Sequence, residues 1–269
     1  MMAKRKKAAM KQSTERSTEK QSEPTRTKPW LRARTIIMGY LPAIGIFFGA
    51  RTLLAEAYRI PSGSMEPTLL VGDQLFVNKL RFGPHIPFTN YSLPGYAAPK
   101  RNDVAIFVSP PQDPTIRISP DEVTPMLIKR IVGVPGDTLF MRHGDLYVNG
   151  VLAPAPNTEV VMPESDAEQQ QPIFAWQHSI EVSQSRFGAA PAAPSHHTWG
   201  PLVVPAGSFF MMGDNRDNSV DSRYYGPVPR ANLRGTPTFV YYSYEPNEGV
   251  DYFRAVTAIR WRRLGTWIR

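Results

Sequence analysis

A serine hydroxyl attacks a carbonyl only when a neighbouring group takes its proton, and one pair of segments in this sequence could arrange that. Ser64 lies in Arg59-Ile60-Pro61-Ser62-Gly63-Ser64-Met65-Glu66-Pro67-Thr68-Leu69, and Lys129 lies in Met126-Leu127-Ile128-Lys129-Arg130-Ile131-Val132. Pro61 and Pro67 fix their own φ and restrain their predecessors, which makes the backbone between them irregular. Gly63 permits a tight turn that presents the Ser64 hydroxyl and its backbone N–H at a rim. Ser62 could add a second oxyanion donor through its side chain. In an extended strand Lys129 shares a face with Leu127 and Ile131, while Arg130 points the other way. Burial there penalises the ammonium form and leaves a neutral amine able to accept the hydroxyl proton. Arg130 could not do this, because a guanidinium stays protonated.

Each piece alone has a plainer account. A Pro-Ser-Gly-Ser stretch is usually a turn, and a strand lysine usually blunts an edge. The usual partner of a serine is histidine, but His85, His143, His178, His196 and His197 fall in turn-like or low-complexity stretches. The chain has no cysteine, which excludes a thiol nucleophile, a thiolate metal site and disulfides. A third segment, Gly213-Asp214-Asn215-Arg216-Asp217-Asn218-Ser219-Val220-Asp221-Ser222-Arg223, is dense in Asp, Asn and Ser. An EF-hand calcium loop would need Gly where Ser219 stands and Glu where Tyr225 stands, so that reading fails. A structured turn with an Asp221–Arg223 ion pair is the simpler expectation.

These residues need elements to hold them. The 27 prolines and 19 glycines among short apolar runs predict strands and turns. Strand-like runs are Gln74–Asn78, Asp103–Val108, Met126–Val132 and Phe209–Met212. Leu139–Met141 and Leu146–Val151 read as a hairpin around His143-Gly144-Asp145. Residues 153–201 look like a loop-rich insertion with a strand near Ile180–Val182.

Before this body, Thr35–Ala50 carries no charge, and after Arg51 the apolar run continues through Ala55. That is slightly short of the ~20 residues of a spanning helix, with Arg34 and Arg51 placed to snorkel. A retained anchor accounts for it better than a cleaved leader or a core helix, given the long polar segment ahead of it. Residues 1–34 hold 11 Lys/Arg against 3 Glu, and the remaining residues balance at 20 against 20. The cationic tail reads as disordered and cytoplasmic, with the body outside. The neutral body argues against nucleic-acid binding.

Four blocks in this order resemble bacterial type I signal peptidases of the S26 family, with a Ser–Lys dyad. They are residues 59–69, Gly72-Asp73-Gln74-Leu75-Phe76-Val77-Asn78-Lys79, residues 129–137 and residues 213–223, and the resemblance runs from about Ile36 to Val228. It implies Ser64 as nucleophile, Lys129 as general base, and Ser62 with the Ser64 amide as oxyanion hole. It further implies that Ser219 orients the lysine by a hydrogen bond and that Asp214, Asp221 and Arg223 brace the site. No metal or cofactor is implied. The implied fold is mainly β, an antiparallel catalytic domain (56–151 and 203–269) with an inserted subdomain (152–202). It would follow a cytoplasmic tail (1–34) and one transmembrane helix (35–55), although some relatives have two spans.

The expected protein is a single-pass enzyme of the bacterial cytoplasmic membrane that removes signal peptides from exported preproteins. A substrate would lie extended along a strand edge, with Ile60, Met65, Leu69 and Ile128 as apolar walls selecting small side chains. The competing readings are another Ser–Lys protease and a catalytically silent membrane-anchored binding domain. The basic, aromatic C-terminus places Trp261, Leu264 and Ile268 at i, i+3 and i+7, a face for the bilayer or for a packed terminal helix.

Overall fold

The computed structural model describes residues 55–153 (apart from 87, 88, 90, 118 and 120), 172–246 (apart from 184 and 185) and 258–269, with some helical residues between 34 and 49. The expected tail up to residue 33, and the part of the insertion from 154 to 171, lie outside the described residues. The expected span is described only in part. Among the described residues no helix is long and apolar enough to cross a membrane. Ala55, expected as the last residue of the span, instead opens a strand. The chain divides into two units, Met1–Phe47 and Phe48–Arg269, and the second holds every strand among the described residues.

Strands run in chain order as β1 (Ala55–Arg59), β2 (Asp73–Asn78), β3 (Val104–Val108), β4 (Met126–Gly133), β5 (Thr138–Arg142), β6 (Asp145–Val148), β7 (Val151–Leu152), β8 (Trp199–Val203), β9 (Ser208–Met212), β10 (Val228–Pro229) and β11 (Leu233–Ser243). Every pairing among the described residues is antiparallel. Seven strands form one sheet in the order β1-β2-β11-β3-β4-β9-β10, and β7-β6-β5-β8 form a second. The mainly β expectation therefore holds, with strands close to the apolar runs that announced them. The second sheet takes in the hairpin from Thr138 onward as well as the edge of the insertion.

Alternation along the strands sorts the core. Val104, Ile106 and Ile128 join Ile60, Met65, Leu69 and Leu75 in one cluster, while Ala105, Phe107, Ile131 and Met211 join Phe82 and Val228 in another. A third cluster uses Phe210 and Met212 to pack against Leu139, Leu146 and Trp199 of the second sheet. A central strand buried on both faces is apolar throughout, and Val104–Phe107 is that case.

Two turns explain a difference from the expected hairpin. His143-Gly144 has φ of 51° and 88°, the mirror-image turn that matches strand twist. Asn149-Gly150, with φ of 53° and 80°, makes a second such turn and so ends β6 and starts β7. The run Leu146–Val151 is thus two strands.

The C-terminus also departs from expectation. It forms no helix beyond the 3-10 turn Trp261–Arg263, and bridges link Phe239 to Trp267 and Tyr244 to Ile259. Ile268 packs on the core while Trp261 faces solvent, which breaks the proposed helical face. Arg263 forms the tie that holds this segment: it pairs with the buried Asp73 carboxylate and donates to the Thr68 carbonyl.

Candidate active site

The Ser64 turn is built by its neighbours. Gly63–Met65 forms a single 3-10 turn, and Met65 and Leu69 anchor it in the core. Asn215 clasps it from across the site: its backbone N–H donates to the Ser64 carbonyl at 3.2 Å and its side chain to the Gly63 carbonyl at 3.3 Å. Gly213 lies against this turn so closely that a Cβ there would collide with the Ser64 carbonyl and the Ser219 hydroxyl. The Asp- and Asn-rich segment is therefore the wall of the site.

Lys129 sits on β4 opposite Ala105 of β3, and its side chain is 3 % exposed. Its Nζ lies 2.5 Å from Ser64 Oγ. Burial pushes its pKa down to about 8; Asp221 raises it, Arg223 lowers it further, and Asp214 raises it. A neutral amine is thus accessible near physiological pH, within reach of the hydroxyl whose proton it would accept. When the amine is neutral, the serine O–H is the donor in this bond. Ser62 Oγ lies 3.5 Å from Ser64 Oγ.

Behind the pair, two carboxylates are held by arginines. Asp214 receives two bonds from Arg130, at 2.7 and 2.6 Å, and one from the Thr68 hydroxyl at 2.6 Å. It thereby links the segment bearing Ser64 to the strand bearing Lys129. Asp221 receives two bonds from the Arg223 guanidinium, both at 2.9 Å, one from the Arg223 backbone N–H at 3.2 Å, and one from the Gly213 N–H at 3.1 Å. Burial alone would raise the Asp221 pKa, but the Arg223 charge and hydrogen bond outweigh it and bring it to about 2. Arg223 is itself fully buried and also donates to the Arg216 carbonyl at 2.6 Å.

Two expectations need correction. Ser219 lies beside the pair, but the hydrogen bond to Lys129 is not formed. Its Oγ is buried against Gly213 without a partner among the described residues, and the lysine is engaged with Ser64. Ile60, Met65 and Leu69 do not wall the cleft. They are at most 1 % exposed and form the core beneath it. Of the four expected walls only Ile128 lines the cleft, a cavity of about 250 Å³ at Ser64 and Lys129 whose other apolar walls are Ile116, Met126, Leu127 and Val220.

Arg130, which points away from the lysine along the strand, instead grips Asp214, a partnership the sequence does not announce. The signal available was a buried acid in need of a cation. Of the histidines, His85 bonds Ser92, and His143 sits in the β5–β6 turn. The ligand atoms of His196, His197 and Asp217 cluster within 4.8 Å. Arg223 Nη1, however, is 2.8 Å from His196 Nε2, so a cation there would meet a guanidinium.

The family described as signal peptidase, peptidase S26, matches residues 33–242. The chain is 36% identical over 223 residues to Signal peptidase I of Pseudomonas fluorescens, covering 76% of this chain and 71% of that protein. It is 36% identical over 222 residues to Signal peptidase I of Pseudomonas aeruginosa, with coverage of 76% and 71%. The probable signal peptidase I-2 of Synechocystis sp. is 33% identical over 222 residues, with coverage of 82% and 76%.

Proposed function

Because the chain belongs to the signal peptidase family, peptidase S26, we propose that it is a serine endopeptidase that cleaves signal peptides from exported preproteins, with Ser64 as nucleophile and Lys129 as general base. The observation that carries the residue assignment is the 2.5 Å approach of a buried lysine amine to a serine hydroxyl. Ser64 attacks the scissile carbonyl as Lys129 takes its proton. The Ser64 N–H and the Ser62 hydroxyl stabilise the oxyanion. Lys129 then protonates the leaving amine, and later draws a proton from the water that hydrolyses the acyl-enzyme. Asp214, Asp221 and Arg223 fix the turn and the strand relative to each other. The role of Ser219 as the lysine's orienting partner would require its hydroxyl to turn toward Nζ when substrate binds.

The substrate's path is supported by the sheet. β9 pairs with β4 only from Arg130 onward, so on that side Met126–Lys129 has no strand partner among the described residues. An extended preprotein segment added there would place alternate side chains toward Ile128 and the cleft. Shallow apolar walls suit small side chains.

The test is a cleavage assay on a preprotein across pH. The neutral amine is the active form, so kcat/KM should fall about tenfold per pH unit below the Lys129 pKa of about 8 and level off above it. A rate flat from pH 6 to 9, or falling with alkalinity, would remove Lys129 as the base.

The apolar run from residue 35 up to β1 forms the anchor in this reading, with residues 1–34 in the cytoplasm and the strands outside. Protease added to spheroplasts should digest the body and leave a small anchored fragment. A body protected until the membrane is lysed would reverse the orientation.

A further inference from the structure

His196 and His197 are buried imidazoles that the catalytic reading leaves without a role, each 5 % exposed. They sit in a tight turn before β8, closed by the Ser195 N–H on the Thr198 carbonyl at 2.8 Å and the Thr198 N–H on the Ser195 hydroxyl at 2.9 Å. This turn belongs to the insertion, yet both rings meet the Asp- and Asn-rich wall of the site. His197 Nε2 lies 2.7 Å from Asp217 Oδ1, and His196 Nε2 lies 2.8 Å from Arg223 Nη1.

The second contact fixes the state of the His196 ring. Arg223 keeps its protons, so Nη1 donates and Nε2 accepts. The ring proton is then on Nδ1, facing the Tyr224 hydroxyl at 2.6 Å. The Arg216 carbonyl, 2.8 Å from Nε2, takes its hydrogen bond from Arg223 Nη2 at 2.6 Å. A second ring proton would stand against the guanidinium. Burial and the Arg223 charge push the His196 pKa down to about 4 against the pull of Asp221, and His197 adds a smaller push. The ring is therefore neutral wherever Lys129 titrates.

Through this bond the insertion reaches the dyad. Arg223 spends Nε and Nη2 on Asp221, which leaves Nη1 for the His196 ring and, at 3.2 Å, for the His196 carbonyl. Trp176 Nε1 and Gln177 Nε2, also from the insertion, donate to the Arg223 carbonyl at 3.1 and 3.2 Å. Arg223 is thus held by the insertion at its side chain and at its backbone. Lys129 feels the charges so placed, since Asp221 and Asp214 favour its ammonium form and Arg223 opposes it.

We propose that His196 is a positioning residue for the dyad, holding Arg223 against Asp221 and so fixing the charges behind Lys129. The proposal rests on Lys129 as the general base.

The experiment measures kcat/KM on a preprotein across pH, with the full chain in non-ionic detergent and a cooperative melt to establish folding. His196→Leu fills similar space but removes the acceptor. Arg223 then holds Asp221 less firmly, so the carboxylate favours the ammonium form more and the guanidinium opposes it less. Both effects move the acid limb of the profile to higher pH. The expected shift is at least about half a pH unit, a loss of about threefold at pH 7 that shrinks toward the alkaline plateau. His196→Gln, whose Oε1 can stand where Nε2 stands, should reverse most of the shift. Should His196→Leu not fold, Tyr224→Phe removes the partner of Nδ1 and frees the ring to turn. It should move the limb in the same direction, with a loss of at least about twofold at pH 7. A folded variant whose limb stays at the wild-type pH, or an equal shift in His196→Leu and His196→Gln, overturns the proposal. A loss that is uniform across pH overturns it too, since that is the mark of general damage. A wild-type profile with no acid limb instead removes Lys129 as the base, and this role for His196 with it.

Discussion

Lys129→Arg is expected to be nearly as inactive as Lys129→Ala, with preprotein cleavage slowed at least about 10²–10⁴-fold in both. Arginine keeps the charge and much of the length of lysine, so a role in holding substrate or neutralising Asp221 would survive the change. A role as proton acceptor would not, because guanidinium does not release its proton in proteins. In the proposed mechanism the loss falls on two steps, since the same amine would serve acylation and deacylation. Circular dichroism and a cooperative melt should show both variants folded, and single-turnover rates on a preprotein measure the loss. A folded Lys129→Arg enzyme with most of its activity would leave Ser64 without its base.

Ser64→Ala should bring cleavage close to the uncatalysed background, a fall on the order of 10⁴-fold or more. The double variant Ser64→Ala/Lys129→Ala should be no slower than the single one. Groups that share one proton in one step act as a unit, so removing the second costs almost nothing once the first is gone. The 2.5 Å contact between the two side chains is the physical basis for that coupling. Independent contributions, with the losses multiplying in the double variant, would mean that the pair does not act in one step. Rates for the wild type, both single variants and the double variant on the same preprotein close the cycle.

How much of this was legible in the sequence depends on the kind of signal each residue carries. Ser64 and Lys129 were readable because both sit in local contexts with a chemical reading: a proline-bounded turn and an apolar strand. Strands β2 to β6 and β9 were readable because apolar runs end at turn residues. β11 was not, although it is the longest strand at 11 residues. Gly235 and Pro237 sit inside it, and its pairings shift register at Leu233/Gly235 and at Pro237/Phe239, so no alternation survives to be read. Ile60, Met65 and Leu69 were misplaced for a different reason. Apolar residues next to a nucleophile serve a cleft or the core with the same composition, and only packing decides between them. The bond between Arg130 and Asp214 spans 84 positions, and neither residue carries a local mark of the other.

The buried lysine has a consequence for how this chain can be altered. In the folded state its pKa is about 8, against 10.5 for an ordinary lysine. The folded protein therefore resists protonation more than the unfolded chain does. Below pH 8 the full cost of holding an ammonium inside is present, about 3 kcal/mol from the size of the shift. The cost shrinks as pH rises through 8 and is gone above about 10.5. Methionine at 129 would carry no such cost, so a library screened for thermal stability alone would drift away from lysine at this position. With Lys129 as the proposed general base, the residue that serves turnover and the residue that folds best at position 129 are different amino acids, and only selection for turnover keeps the first.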